Sequence, residues 1–256
     1  MSKTPCANVL LHHSAYYRKH VFKAGFEANG YKIIEDHHYV PKAHDVLLIW
    51  NRSKNREHIA KRYEAAGATI FVTENGYLGN TKAMAIGHHS GAGIWYQGEK
   101  DRWEGLQIEL CPWSEGGNHI LVLPQRSIGE EGVAMPRGWE NRIVDQLKKI
   151  TTRPIRVRKH PGKSQEGPTL ATDLTDAWCA VTWASGAGIK AIIAGVPVFH
   201  QLEHWIGAPA ASTTLDIENP WRGDRLPMLR RLAWAQWTWD EIRSGEAIRY
   251  LLKAKE

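Results

Sequence analysis

The chain has 256 residues, 43% of them hydrophobic and 23% charged, with a formal charge of +6. This composition suits a globular enzyme of one large domain or two ordinary ones, and no run reaches the roughly 18–20 apolar residues of a bilayer span. The three cysteines, Cys6, Cys111 and Cys179, are too widely spaced for a disulfide framework or a Cys-x-x-Cys metal site and are expected as buried thiols; the N-terminus lacks a cleavage-type signal, which predicts a cytoplasmic protein with no membrane partner.

In chain order, apolar runs alternate with helical patterns. "NVLLHH" (8–13) predicts a strand, 17–30 a helix closed by Gly30, and "YKII" a second strand. "DVLLIWN" (45–51) follows, then a helix closed by Gly67, then "TIFVTE" (69–74) and "AMAIGHH" (83–89). Residues 90–119 lose periodicity, are rich in Gly and Trp, and read as a link. The pattern restarts with "HILVLPQ" (119–125), a helix from Pro136 to about Ile150, "PIRVRKHP", "DAWCAVTWAS" and "TWASGAGIKAIIAGVPVFH". Such alternation predicts an α/β protein with mostly parallel sheets, divided into two Rossmann-like units at 1–115 and 116–256. In open α/β sheets ligands bind beyond the carboxyl ends of strands, so His12, His13, Asn51, Arg52, Glu74, Asn75, His88 and His89 are expected along one rim.

Charge is concentrated. Between residues 137 and 163 nine Lys/Arg stand against Glu140 and Asp145, leaving the rest of the chain near neutral. Lys148, Lys149, Arg153 and Arg156 are therefore candidates for a nucleic-acid backbone contact, with a solvated helix face as the plainer alternative. The adjacent-histidine pairs do not suggest a metal, because neighbouring strand residues face opposite sides.

Two features point to an anion. Gly186-Ala-Gly188-Ile-Lys-Ala191 matches G-x-G-x-x-A between a strand and a helix, but no acidic residue follows at the distance a dinucleotide fingerprint needs, so a nicotinamide enzyme is the poorer reading. The physical content survives, since glycines expose N–H groups at a helix start that Ser185 caps and that favours a phosphate. One strand earlier, Pro161 ends "RVRKHPGK" and presents His160 at the rim, flanked by Lys159 and Lys163.

On these residues the sequence resembles the donor-binding half of GT-B glycosyltransferases, nearest to the bacterial sialyltransferase and capsule Kdo-transferase type. The likeness rests on His160-Pro161, Ser185-Gly186 and Gly195-Val-Pro-Val198, and covers about residues 119–200. It implies two facing domains with the reaction in the cleft between them. It also implies a nucleotide-sugar donor held by Gln125, Arg126, Lys159, His160, Ser185, Gly186 and Lys190, with no further cofactor and no metal. Lys190 departs from the family, which often carries a ribose-binding Glu there. Candidates for the general base are Glu74, Asp101 and the histidines, His89 among them. The tail from Asp240 to Lys253 is expected as a helix crossing back to the first half. A loose likeness to phage DNA-base glucosyltransferases makes hydroxymethylated pyrimidine in DNA one candidate acceptor; a surface glycan is the other, and a non-catalytic nucleic-acid-binding protein is the alternative from a different class. The twelve tryptophans suit sugar or base stacking, or core packing.

Overall fold

The computed structural model describes residues 4–87, 89, 101–160 and 168–254. Its first elements are β1 (Cys6–Leu10), α1 (Lys19–Glu27), β2 (Lys32–Ile34), β3 (Val46–Trp50), α2 (Lys54–Ala65), β4 (Thr69–Asn75) and β5 (Lys82–Ile86). Next come α3 (Arg102–Gly105), β6 (His119–Leu123), α4 (Trp139–Ile150), β7 (Ile155–Val157), α5 (Leu170–Leu174), β8 (Ala177–Thr182), α6 (Gly186–Ile193), β9 (Val198–His200) and α7 (Leu226–Ala233). The chain ends with β10 (Gln236–Trp237), α8 (Trp239–Arg243) and α9 (Glu246–Lys253). Two compact units result: the described residues up to 89 together with the chain from Arg231 onward, and Asp101–Arg230.

The first unit holds a six-stranded sheet in the order β10-β5-β4-β3-β1-β2. Its β1, β2, β3 and β4 are parallel, whereas β5 runs antiparallel to both β4 and β10. The sheet is therefore mixed at one edge. Leu47, Ile49, Ile70 and Val72 pack on one face against Ile59, Ala60 and Tyr63 of α2. Here β1 neighbours both β2 and β3, so the chain changes direction across the sheet between β1 and β3. The tail is two helices and not one, broken at Gly245 in a left-handed conformation (φ 79°). A Cβ there would lie 2.3 Å from Asn29 Nδ2 and 2.8 Å from Gly25 O, so only glycine admits this approach of the tail to α1. Asn29 secures the junction by donating to Gly245 O at 2.9 Å.

The second unit is a four-stranded sheet, β7-β6-β8-β9, parallel throughout. Fully buried strands of this kind read as continuous apolar runs, as "HILVL" does. Trp139, Ile143 and Leu147 of α4 pack on Ile120, Val122, Cys179 and Val181. The direction changes between β6 and β8, with β7 on one side and β9 on the other. Both units are thus α/β with mostly parallel sheets. Cys179 is buried, which pushes its thiol up to about 12, and Cys6 is half-buried. Cys111, expected inside, is exposed, because it lies in the stretch without regular structure that precedes β6.

Candidate functional site

The switch point of the second sheet places Gln125, two residues past β6, beside the turn after β8. Gln125 Oε1 accepts from Ala184 N at 3.0 Å, Thr182 Oγ1 accepts from Ser185 N at 3.0 Å, and Ser185 Oγ accepts from Ala187 N at 3.1 Å, capping α6. Gly188 N donates to Ser185 O at 3.0 Å. Of the N–H groups from 184 to 188, only that of Gly186 has no acceptor among the described residues. The turn is held from within and leaves one N–H, at the positive end of an eight-residue helix, open to a ligand.

Gly188 serves another purpose. A Cβ there would lie 2.9 Å from the Trp205 ring, which is 1% exposed, so this glycine of the G-x-G pattern makes room for an indole.

Arg126 is exposed in the loop after β6, next to Ser127 in a left-handed conformation (φ 51°). Lys159 and His160 follow β7 and are exposed, while Pro161 and Lys163 lie outside the described residues. Partial burial, then the guanidinium groups of Arg126 and Arg158, push the His160 imidazole below its ordinary 6.5, so at neutral pH it is uncharged. Arg158 is itself paired with Asp173. Arg126 thus bears on the imidazole as a guanidinium without a carboxylate partner among the described residues, and His160 offers a hydrogen bond. Lys190 is exposed beyond the first turn of α6, on a groove it shares with Leu170, Leu174, Thr175 and Ala194.

The basic segment divides. Lys148, Lys149 and Arg156 are exposed. Arg153 instead donates to both Glu218 oxygens and, at 2.8 Å, to Gly117 O, with its guanidinium 4.0 Å from the Trp178 ring centroid. That arginine is a structural clamp.

In the first unit, Glu74 and Asn75 end β4 and leave opposite faces of the sheet. Glu74 accepts from the Tyr77 hydroxyl at 2.5 Å. Arg52 is buried and satisfied by Glu57, Glu64 and the Gly87 carbonyl. His89 does not join the Glu74 rim. Because β5 is antiparallel to β4, with Asn75 opposite Lys82 and Phe71 opposite Ile86, the chain leaves β5 at the far end of the sheet. A signal for this was present: the turn "GYLGN" is too short and too glycine-rich for a crossover helix and marks a hairpin. His88 lies outside the described residues. Asp101 caps α3, accepting from Trp103 N and Glu104 N, and pairs with Arg230 Nε at 2.8 Å.

The first sheet's switch point carries an aromatic cluster that residue spacing did not reveal. Tyr16 and Tyr17, beyond β1, meet Trp50 at the end of β3, with ring centroids 5.8 and 4.8 Å away. Lys82 Nζ lies 5.6 Å from the Trp50 centroid, 5.7 Å from Tyr16 and 4.9 Å from Trp239. The only cue was an aromatic pair after one strand and a tryptophan ending another. Among the described residues no three His, Cys, Asp or Glu side chains gather as a metal site, and no helix is long and apolar enough to cross a membrane.

No protein-family model matches the sequence, and a search of curated proteins finds no relative. Solved structures do match. Thermosulfurimonas dismutans KpsC, described as a β-Kdo 2,7 transferase, superposes with a TM-score of 0.59 at 14% identity, covering 99% of this chain and 100% of that one. A second KpsC structure from that organism, a β-Kdo 2,4 transferase, gives 0.55 at 11% identity over 91% of each chain. The likeness is one of fold.

Proposed function

We propose that this chain is a glycosyltransferase that moves a sugar from a nucleotide-sugar donor to a carbohydrate hydroxyl. The observation that carries the assignment is the second sheet's switch point. There a Ser185-capped helix start, the free Gly186 N–H, Arg126 and the His160 imidazole meet the needs of a departing phosphate. The Kdo transferases that share the fold support a transferase, and make a nucleotide-activated Kdo-like sugar the first donor to try.

If transfer inverts the sugar carbon, the acceptor hydroxyl needs a base. We assign this role to Glu74, which keeps one carboxylate oxygen without a partner among the described residues. Asp101 is spent on a helix cap and an ion pair, and His89 leaves by the other end of the sheet. DNA is the weaker acceptor, because Arg153 is withdrawn from the basic face.

Thermal unfolding in the presence of a panel of nucleotide sugars tests the assignment. A true donor at about 100 times its dissociation constant adds roughly 2.7 kcal/mol, and the panel should give one clear stabiliser. No shift with any member, together with no hydrolysis of any, would remove the transferase assignment.

A further inference from the structure

The aromatic cluster of the first unit has a composition that core packing does not require. Tyr16 is 56% exposed, and Tyr17, Trp50 and Trp239 are all partly exposed. A core aromatic would be covered. The rings stand where the sheet's direction changes, between the carboxyl ends of β1 and β3, which in open α/β sheets is the place of a ligand. Lys82 reaches the same place from the start of β5, because that strand is antiparallel and begins where β4 ends. Trp239 reaches it from the end of β10.

The charges in this cluster are unbalanced. Elsewhere in the unit Lys19 and Lys23 both pair with Glu35, and Arg52 is satisfied by Glu57 and Glu64. Lys82 has no carboxylate partner among the described residues, and neither does Arg18, whose guanidinium lies 5.0 Å from the Trp239 centroid. One of the three Lys82 donors goes to Asn75 Oδ1 at 2.6 Å, and no protein acceptor among the described residues takes the others. Burial foremost, then Arg18, depresses the Lys82 ammonium from its ordinary 10.5. Ring faces offset part of that desolvation but supply no hydrogen-bond acceptor. An anion placed on Lys82 would relieve both the desolvation and the repulsion. Arg18 holds a left-handed conformation (φ 41°), as does Asn51 beside Trp50 (φ 55°); non-glycine residues in that region cluster at ligand sites.

We infer that Tyr16, Tyr17 and Trp50 form a stacking platform for a sugar ring whose negative group is taken by Lys82 and Arg18, so the acceptor carries an anionic sugar. The ring faces recognise the apolar C–H face of a pyranose, and the two cations select a carboxylate or phosphate on it. The inference rests on the transferase assignment for its meaning as an acceptor site, but the binding itself does not.

Three probes titrated into the full chain without donor test it, by calorimetry and by saturation-transfer NMR: the methyl glycoside of Kdo, galactose 6-phosphate and neutral methyl galactoside. A nucleotide-sugar titration is run beside them. The expected result is that an anionic probe binds at least about tenfold more tightly than the neutral one, and that Lys82→Gln erases the difference. Tyr16→Ala, at an exposed position that does not endanger folding, should weaken all three. Preference for the carboxylate identifies an acidic sugar and preference for the phosphate a sugar phosphate; either supports the inference. Equal binding of the three probes, no binding by any, or indifference to both substitutions overturns it. Anionic-probe binding without nucleotide-sugar binding would remove the transferase assignment and leave this site standing, whereas the reverse would remove the site alone.

Discussion

The two sheets change direction in the same way and furnish that place with opposite chemistry. In the parallel four-stranded sheet the switch point is a helix start capped by Ser185 and braced by Gln125, with the Gly186 N–H open and Arg126 and His160 beside it. In the mixed six-stranded sheet it is built of side-chain rings, with two cations that have no carboxylate partner among the described residues. Backbone N–H groups suit a phosphate, which presents oxygens in every direction, and ring faces suit a sugar, which presents one apolar side. On the proposed assignments a common topology positions two different kinds of binding surface, and substitutions in each unit test them separately.

The largest effect should come from the phosphate side. If His160 serves the donor as proposed, His160→Ala is expected to lower turnover about 10²–10³-fold, while the melting temperature stays near that of the parent because the imidazole is exposed. The imidazole lies below its ordinary 6.5 without ligand, and an arriving phosphate favours its charged form. Donor affinity should thus rise as pH falls from neutral toward the depressed pKa of the free imidazole, and the rise should vanish in the variant. Titrating donor at several pH values reads both. A variant with unchanged turnover would separate His160 from the donor and break the contrast between the two rims.

Next in size is a test of the glycine pattern. Gly188→Val would drive a side chain into the buried Trp205 ring, and overpacking of this sort destabilises by about 1–3 kcal/mol. Denaturant unfolding should show the loss, and any loss of donor affinity should track it. If the variant were as stable as the parent but could not bind donor, Gly188 would belong to the ligand after all.

What the sequence made legible follows from how local each feature is. The strands β6 and β8, the helix α6 and its Ser185 cap are each specified by a few consecutive residues, and they stand where periodicity and capping rules predict. Features made by distant residues were hidden. Arg153 reads as one of nine basic residues until its partner Glu218, 65 positions away, is seen. The Tyr16–Trp50 contact depends on β1 and β3 being neighbours, which no local pattern states. Strand direction was the other gap: a strand pattern does not carry its own polarity, and the end at which His89 emerges depended on reading the glycine-rich turn after Asn75 as a hairpin.

That clamp gives the third prediction. Arg153→Ala leaves Glu218 without its partner and uncovers the Trp178 ring; with the arginine side chain 26% exposed, solvent screening keeps the expected loss near 1–2 kcal/mol. Lys148→Ala and Lys149→Ala, both exposed, should change stability by less than about 0.5 kcal/mol. Chemical denaturation of the three variants compares them directly. If duplex DNA bound in a salt-dependent way, the slope should fall with the two lysines and stay constant with Arg153; a slope that fell with Arg153 would return that residue to a binding face.

The last effect, also small, belongs to Glu35, and it tests why the Lys82 cluster differs from its neighbours. Side-chain hydrogen bonds from Lys19, then Lys23, hold the Glu35 carboxyl down at about 2, against an ordinary 4.5. A group whose pKa is depressed on folding contributes stability that is fully present above the unfolded value and is lost as pH falls through the folded one. The contribution should therefore be intact at pH 7 and decline between about pH 5 and pH 2. The carboxylate is partly exposed and screened, so the whole effect should stay below about 1 kcal/mol. Glu35→Gln should accordingly be slightly less stable than the parent at pH 7 and converge with it at low pH, as followed by urea unfolding across that window. The same substitution frees two lysines in the unit that holds the aromatic platform. If anionic sugars then bind there no differently, the platform's selectivity lies with Lys82 and Arg18, which have no carboxylate partner among the described residues; if binding shifts with Glu35, the charge of the wider surface, and not the ring cluster, is what the ligand senses.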